Sequence, residues 1–248
     1  MKNLINKISE ITIQLLFKLI GVGWGGSRTV GSEVRHVKSI IKKGTVFIDC
    51  GGNIGNYSHE IIKNFNDPEI HIFEPSSKNA DILLKRFSNN KIKINDVGLS
   101  NKTSASILFS NESGSGLASL TKRKLDHLEI DFNIEEEIRL IQFKDYWNEE
   151  INSEFIDLFK IDVEGHELDV LKGIGEKISN IKLIQFEFGG CNIDTRTFFQ
   201  DFWYFFNKNN FKIFRISPFG LIELSKYKEI YESFTTTNFL CLNKEFYN

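Results

Sequence analysis

The chain of 248 residues has only three Pro, too few for long extended linkers, so most of it should be regular structure. Its three Cys, at 50, 191 and 241, are odd in number and far apart. No Cys-x-x-Cys pair is present, which argues against a thiolate zinc site and a disulfide framework and suits a reducing cytosol. Charge of one sign is lacking too: 31 Lys and Arg against 33 Asp and Glu leave −2. No basic excess offers itself to a nucleic-acid backbone, and there is no acidic tail. Also missing are any internal repeat, any low-complexity tract, and any unbroken apolar run long enough to span a bilayer.

What is present begins with Leu4, Ile5, Ile8, Ile11, Leu15, Leu16, Leu19 and Ile20 at helical spacing. Lys7, Glu10 and Lys18 interrupt the run, and no small-residue cleavage site follows, so a spanning helix and a signal peptide are both disfavoured. Residues 1–30 therefore read as an amphipathic helix and a Gly-rich loop. The helix packs on the domain or on a second copy in a homodimer, or lies on a membrane surface. Residues 31–248 read as one domain. After a helix at 33–43, strands at 45–50, 69–74, 91–96, 154–163 and 181–188 alternate with helices at 56–65, 77–88, 166–175 and 195–210. Further strands are expected at 104–110, 137–143, 211–217, 221–224 and 238–243. Such alternation means an α/β, Rossmann-like fold: a mostly parallel sheet covered on both faces, with ligands at the carboxyl ends of its strands. The Ser/Gly-rich segment 111–124 is a plain loop or a lid over those ends.

The first strand runs into Asp49-Cys50-Gly51-Gly52-Asn53-Ile54-Gly55-Asn56. A dinucleotide fingerprint starting at Gly51 needs Gly at 53 and 56, and both are Asn. An acidic residue at the strand tip suits a cationic amino-acid ligand, such as a sulfonium, better than a pyrophosphate. S-adenosylmethionine is thus the expected cofactor, held by Asp49, Gly51, Gly52, Asn53, Gly55 and the helix start Asn56, Tyr57 and Ser58. Glu74-Pro75 after the second strand places a carboxylate where ribose hydroxyls bind. Asp96, Val97 and Leu99 after the third strand would border the adenine, and Asp162 at the end of a later strand would lie against the cofactor near its methyl group.

The block Leu158-Phe159-Lys160-Ile161-Asp162-Val163-Glu164-Gly165-His166-Glu167, taken with Val46–Ser58, resembles the FkbM-type methyltransferase family. Phe73-Glu74-Pro75 and Leu99-Ser100-Asn101-Lys102 fit the same resemblance. It covers roughly residues 30–190 and implies a class I methyltransferase sheet of seven strands with the last one antiparallel. It also implies methylation of hydroxyls on sugars, polyketides or related metabolites. Gly52 stands where Ala is commoner in the family.

An alcohol is a poor nucleophile, so methyl transfer to oxygen needs positioning and a base. Asp162, Glu164, His166, Glu187 and Lys160 are the candidates. Lys160, Asp162 and Glu164 alternate onto one strand face, where a structural ion pair is the plainer reading. Asp162, Glu164, Glu187 and Asp96 offer oxygen atoms, but their spacing fits no fixed metal motif, and no metal is expected. The aromatic run Phe198–Phe206 reads mostly as core, and Trp24, Arg28 and Arg123 as surface. An O-methyltransferase acting on a saccharide, with no nucleic-acid partner, is the leading expectation. A methyltransferase for a non-sugar metabolite and a non-catalytic cofactor-binding scaffold are the alternatives.

Overall fold

The computed structural model describes residues 2–87 and 91–247; Ser88, the expected last residue of one helix, lies outside them. Helix α1 (Lys2–Leu19) precedes α2 (Val30–Ile40). Then come β1 (Val46–Cys50), α3 (Asn56–Asn64), β2 (Glu69–Phe73), α4 (Ser77–Arg86), β3 (Ile92–Asn95), β4 (Gly98–Leu99), β5 (Ser104–Ser110), β6 (Ile134–Ile141) and α5 (Phe143–Glu150). The remainder is β7 (Ile156–Ile161), α6 (Glu167–Ile174), β8 (Ile181–Phe188), α7 (Cys191–Thr195), α8 (Phe199–Lys208), β9 (Phe211–Ser217), β10 (Gly220–Glu223) and β11 (Thr237–Asn243).

The main sheet runs β10-β9-β11-β8-β7-β1-β2-β3. Strands β3, β2, β1, β7 and β8 are parallel neighbours, and β11 is antiparallel to both β8 and β9. The last strand is therefore antiparallel, as expected. The count is eight rather than seven, because β10 turns back at Gly220 as an antiparallel hairpin on β9 and adds an edge. The expected strands at 104–110 and 137–143 do not join this sheet. As β5 and β6 they pair with each other, and β6 with β4, in a separate three-stranded sheet.

Side-chain alternation along the buried strands feeds two cores. Val46, Ile48 and Cys50 of β1 pack on one face with Phe143 and Trp147 of α5, Val170, Leu171 and Ile174 of α6, and Phe199, Phe202 and Phe206 of α8. Phe47 faces the other way, against Val34 and Val37 of α2, Tyr57 and Ile61 of α3, and Leu83 of α4. The helix expected over 195–210 is α8, shorter at both ends and preceded by the short α7. Arg196 at φ +58° ends α7, and α8 starts afresh where the Glu232 carboxylate accepts the Phe199 and Gln200 N–H groups at 2.7 and 2.8 Å. Helix α5 was not anticipated; its apolar pair Phe143/Trp147 is at i, i+4 spacing directly after a strand.

Candidate functional site

The carboxyl ends of β1, β2, β7 and β8 meet at two adjoining clefts. After Cys50 the chain turns so that Gly51 and Gly52 both donate to the Phe73 carbonyl, at 2.9 and 3.1 Å. Gly51 sits at φ +77°, and a Cβ there would stand 1.7 Å from the Asp162 carbonyl oxygen. Only glycine lets the tip of β7 pass so close to the turn. At Gly52 a Cβ would meet Ile72 Cγ2 at 2.2 Å, so Ile72 leaves no room for a side chain there.

The first cleft, of about 700 Å³, lies between these tips and the small sheet. Its polar wall holds Asn53, Glu74, Asp162, Glu164 and His166; Pro75, Leu99, Leu108, Ile138 and Leu140 form the apolar wall. Segment 111–124 closes one side through Ser115, Gly116 and Ala118–Leu120. It is tied down by Ser119 Oγ donating to the Glu164 carbonyl (2.8 Å) and by Thr121 Oγ1 at 2.9 Å from His166 Nε2. The second cleft, of about 830 Å³, shares Gly51, Asn53 and Asp162 with the first. It adds Asn56, Tyr57, Lys160 and Glu187, together with Glu33 of α2 and Asn238 of β11.

Glu74 is buried and holds two backbone groups: Asn53 N donates to Oε2 (2.7 Å) and Ser76 N to Oε1 (3.0 Å). Burial raises its pKa despite those bonds. The Asn79 side chain is a third partner, so of the roughly four acceptor positions of a carboxylate about one remains for a ligand hydroxyl.

Of the expected cofactor residues, Gly51, Gly52, Asn53, Asn56, Tyr57, Glu74, Pro75, Leu99 and Asp162 line one cleft or both. Asp49, Gly55, Ser58, Asp96 and Val97 line neither. Asp49, expected to face the ligand, is turned inward. It is 2% exposed, accepts a hydrogen bond from Ser58 Oγ at 2.6 Å, and stands 3.4 Å from Lys160 Nζ, its register partner across β1 and β7. The phase of β1 sets this direction, since Asp49 shares the α3 side with Phe47. Asp96 is exposed at the turn, and Val97 packs on the core beneath it, leaving Gly98 and Leu99 at the cleft.

The expected catalytic group converges. Lys160 reaches Asp162 Oδ2 (3.3 Å), Asp49 Oδ1 (3.4 Å) and the Gly51 carbonyl (3.2 Å). Burial works against its charge, but Asp162 and Asp49 overcome it and hold the ammonium above its usual range. Asp162, Glu164 and Glu187 each bring a carboxylate oxygen within 4.8 Å of the others, the arrangement among the described residues that could seat a cation. Burial first, then Asp162, raises Glu164 to about 8, against the pull of Arg123, whose Nη1 lies 2.6 Å away. Glu187 is raised well above the carboxylate range by burial and by Asp162 and Glu164. His166 caps α6, with Nδ1 3.5 Å from Asp169. Glu167 is fully buried and accepts the Val163 and Gly165 N–H groups at 3.1 Å, which fixes the loop that carries Glu164.

Sequence reasoning missed a buried network behind the second cleft. Tyr57 OH donates to Gln185 Oε1 (2.6 Å), Gln185 Nε2 to Glu33 Oε2 (2.7 Å), and Thr29 Oγ1 to Glu33 Oε1 (2.6 Å). Gln185, polar in the middle of an apolar strand, was the available signal. Glu33 looked like an ordinary acid in the first turn of a helix. Arg123, read as surface, is a half-buried partner of Glu164 and stands 3.5 Å from Asp194.

The model of the FkbM methyltransferase domain matches residues 49–213, well over half of the chain. The protein belongs to the FkbM family of methyltransferases, and its methyl donor is S-adenosylmethionine. Three solved structures are similar. Magnesium protoporphyrin IX methyltransferase from Synechocystis is 11% identical at a TM-score of 0.46, covering 88% of this chain and 79% of that one. A putative O-methyltransferase from Klebsiella pneumoniae is 7% identical at 0.45, covering 86% and 80%. A putative RNA methyltransferase from Pyrococcus horikoshii is 12% identical at 0.44, covering 86% and 81%. Likenesses this distant carry nothing about the acceptor. No curated protein sequence matches the chain. Among the described residues, no helix is long and apolar enough to cross a membrane.

Proposed function

We propose that the protein methylates a hydroxyl oxygen of a saccharide, either a nucleotide-sugar or a precursor of a capsule or surface polysaccharide. The observation that carries this reading is the meeting of Asp162, Glu164 and Glu187 where the two clefts join. Converging carboxylates accept hydrogen bonds from neighbouring hydroxyls of a polyol, and one of them can take a proton. Bound S-adenosylmethionine supplies an electrophilic methyl group on a sulfonium that departs as a neutral thioether. The donor set fits that group, with Glu74 at the cleft wall placed to receive a ribose hydroxyl beside the apolar wall of Leu99, Ile138 and Leu140.

The chain's residues then divide the work. Lys160 and Arg123 stand beside Asp162 and Glu164 and offset part of the repulsion among the three carboxyl groups, whose oxygen atoms are placed to hydrogen-bond the sugar hydroxyls. Glu187, which pairs with no such cation among the described residues, is the base: burial and its two carboxyl neighbours raise its proton affinity, and in its deprotonated form, which grows as pH rises, it takes the proton from the attacking hydroxyl as the carbon–oxygen bond forms. The cations already beside two of the three carboxylates favour a base over a metal seat.

The experiment has two stages. Calorimetric titration with S-adenosylhomocysteine checks the donor cleft, and methyl transfer to a panel of nucleotide-sugars then checks the acceptor. Glu187→Gln should bind S-adenosylhomocysteine as the wild type does and lose about 10²–10⁴-fold in kcat. Full turnover in that variant removes Glu187 as base. Transfer to non-sugar hydroxyls alone removes the saccharide.

A further inference from the structure

Helix α1 has its apolar side in solvent. Leu4, Ile5, Ile8, Ile11, Leu15, Leu16 and Leu19 are between 48 and 62% exposed, and only Phe17, near the C-terminal end, is half-buried. At 100° per residue those seven side chains fill an arc of about 140°, wider than the a/d seam of a two-stranded coiled coil. Lys7 and Lys18, both exposed, stand along the Ile11 edge of that arc; Glu10 lies on the opposite side, which is polar apart from exposed Ile13 and half-buried Phe17. The helix is not long and apolar enough to span a bilayer.

A broad apolar face edged by lysines, with its one acid turned away, is the complement of an anionic lipid surface: side chains enter the acyl boundary and the ammonium groups stay with the headgroups. A second copy would need a narrower stripe and a partner for the edge lysines. We infer that α1 lies in the plane of an anionic membrane and docks the protein there. The attachment is continuous with the site. Val22 N donates to the Phe17 carbonyl and Gly23 N to that of Thr236, both at 2.9 Å, and the same loop goes on to line the second cleft with Gly26 and Ser27. Seven residues from Leu19 to Gly26 span at most about 25 Å, so a docked α1 holds that cleft near the lipid.

The test is co-sedimentation of the full chain with vesicles of phosphatidylcholine containing about 30% phosphatidylserine, against pure phosphatidylcholine, at low and high salt. The inference expects binding to the anionic vesicles that weakens in high salt. It expects a loss of more than about tenfold in Ile8→Glu/Leu15→Glu, whose melting temperature should be unchanged because both side chains are exposed. No sedimentation of the wild type overturns it, as does equal binding to the neutral vesicles. A dimer by light scattering that the double variant abolishes, without vesicle binding, assigns the face to a second copy instead.

Discussion

Replacing Lys160 by Met removes the only cation paired with Asp49 among the described residues while keeping a side chain of similar length. Asp49 is 2% exposed and Lys160 8%, so water does not take over the role of the ammonium. The other partner, Asp162, is more than one third exposed and screened, and adds little. Breaking a buried pair by removing one charge costs about 3–5 kcal/mol. For a chain of this size each kcal/mol shifts the melting temperature by roughly 2–4 °C, so Lys160→Met should melt about 6–20 °C below the wild type in a calorimetric scan. Asp49→Asn on top of Lys160→Met leaves neither charge of the pair and should recover at least half of the loss, Ser58 Oγ still donating to residue 49. A single variant melting within about 3 °C of the wild type refutes the reasoning, as does a double variant no more stable than the single one.

Glu164, raised to about 8 in the fold, contributes stability that is fully present below the usual carboxylate range and is lost as pH rises through about 8. The wild-type melting temperature should therefore decline over that window, and Glu164→Gln should flatten the decline; an identical slope in the variant removes Glu164 as its source. Glu74→Gln keeps the shape but weakens acceptance of ligand hydroxyls, and should reduce affinity for S-adenosylhomocysteine about 10–100-fold by calorimetry, whereas unchanged affinity dissociates Glu74 from the donor.

Much of the site was legible because strand tips are marked by chemistry that apolar strands do not otherwise tolerate. Lys160, Asp162 and Glu164 alternate along β7 and its exit, and the structure brings them together with Glu187 from the end of β8. What was not legible came from distant segments: Glu33, Gln185 and Asn238 meet across separations of 152 and 205 residues, which no local period records. The fate of β5 was readable in hindsight. Ser104, Ala105, Ser106 and Ile107 alternate between half-buried and exposed, and a strand wet on one side does not fit inside a parallel sheet with helices on both faces.

The misdirected Asp49 follows from the same rule seen from the inside. All five residues of β1 are buried, so the strand lacks the apolar/polar alternation that would reveal which way each side chain points. Its direction was recoverable from charge instead. Val46–Cys50 and Ile156–Ile161 are neighbouring buried strands, and Asp49 and Lys160 fall directly opposite each other in register. An unpaired ion in either strand would cost several kcal/mol, so the two must answer each other. An aspartate already committed to a lysine and a serine is then a poor candidate for contacting the ligand. In this chain the acid at the tip of β1 holds β1, β7 and α3 in place, and the carboxylates one strand-end further out, on Asp162, Glu164 and Glu187, are left to face the clefts.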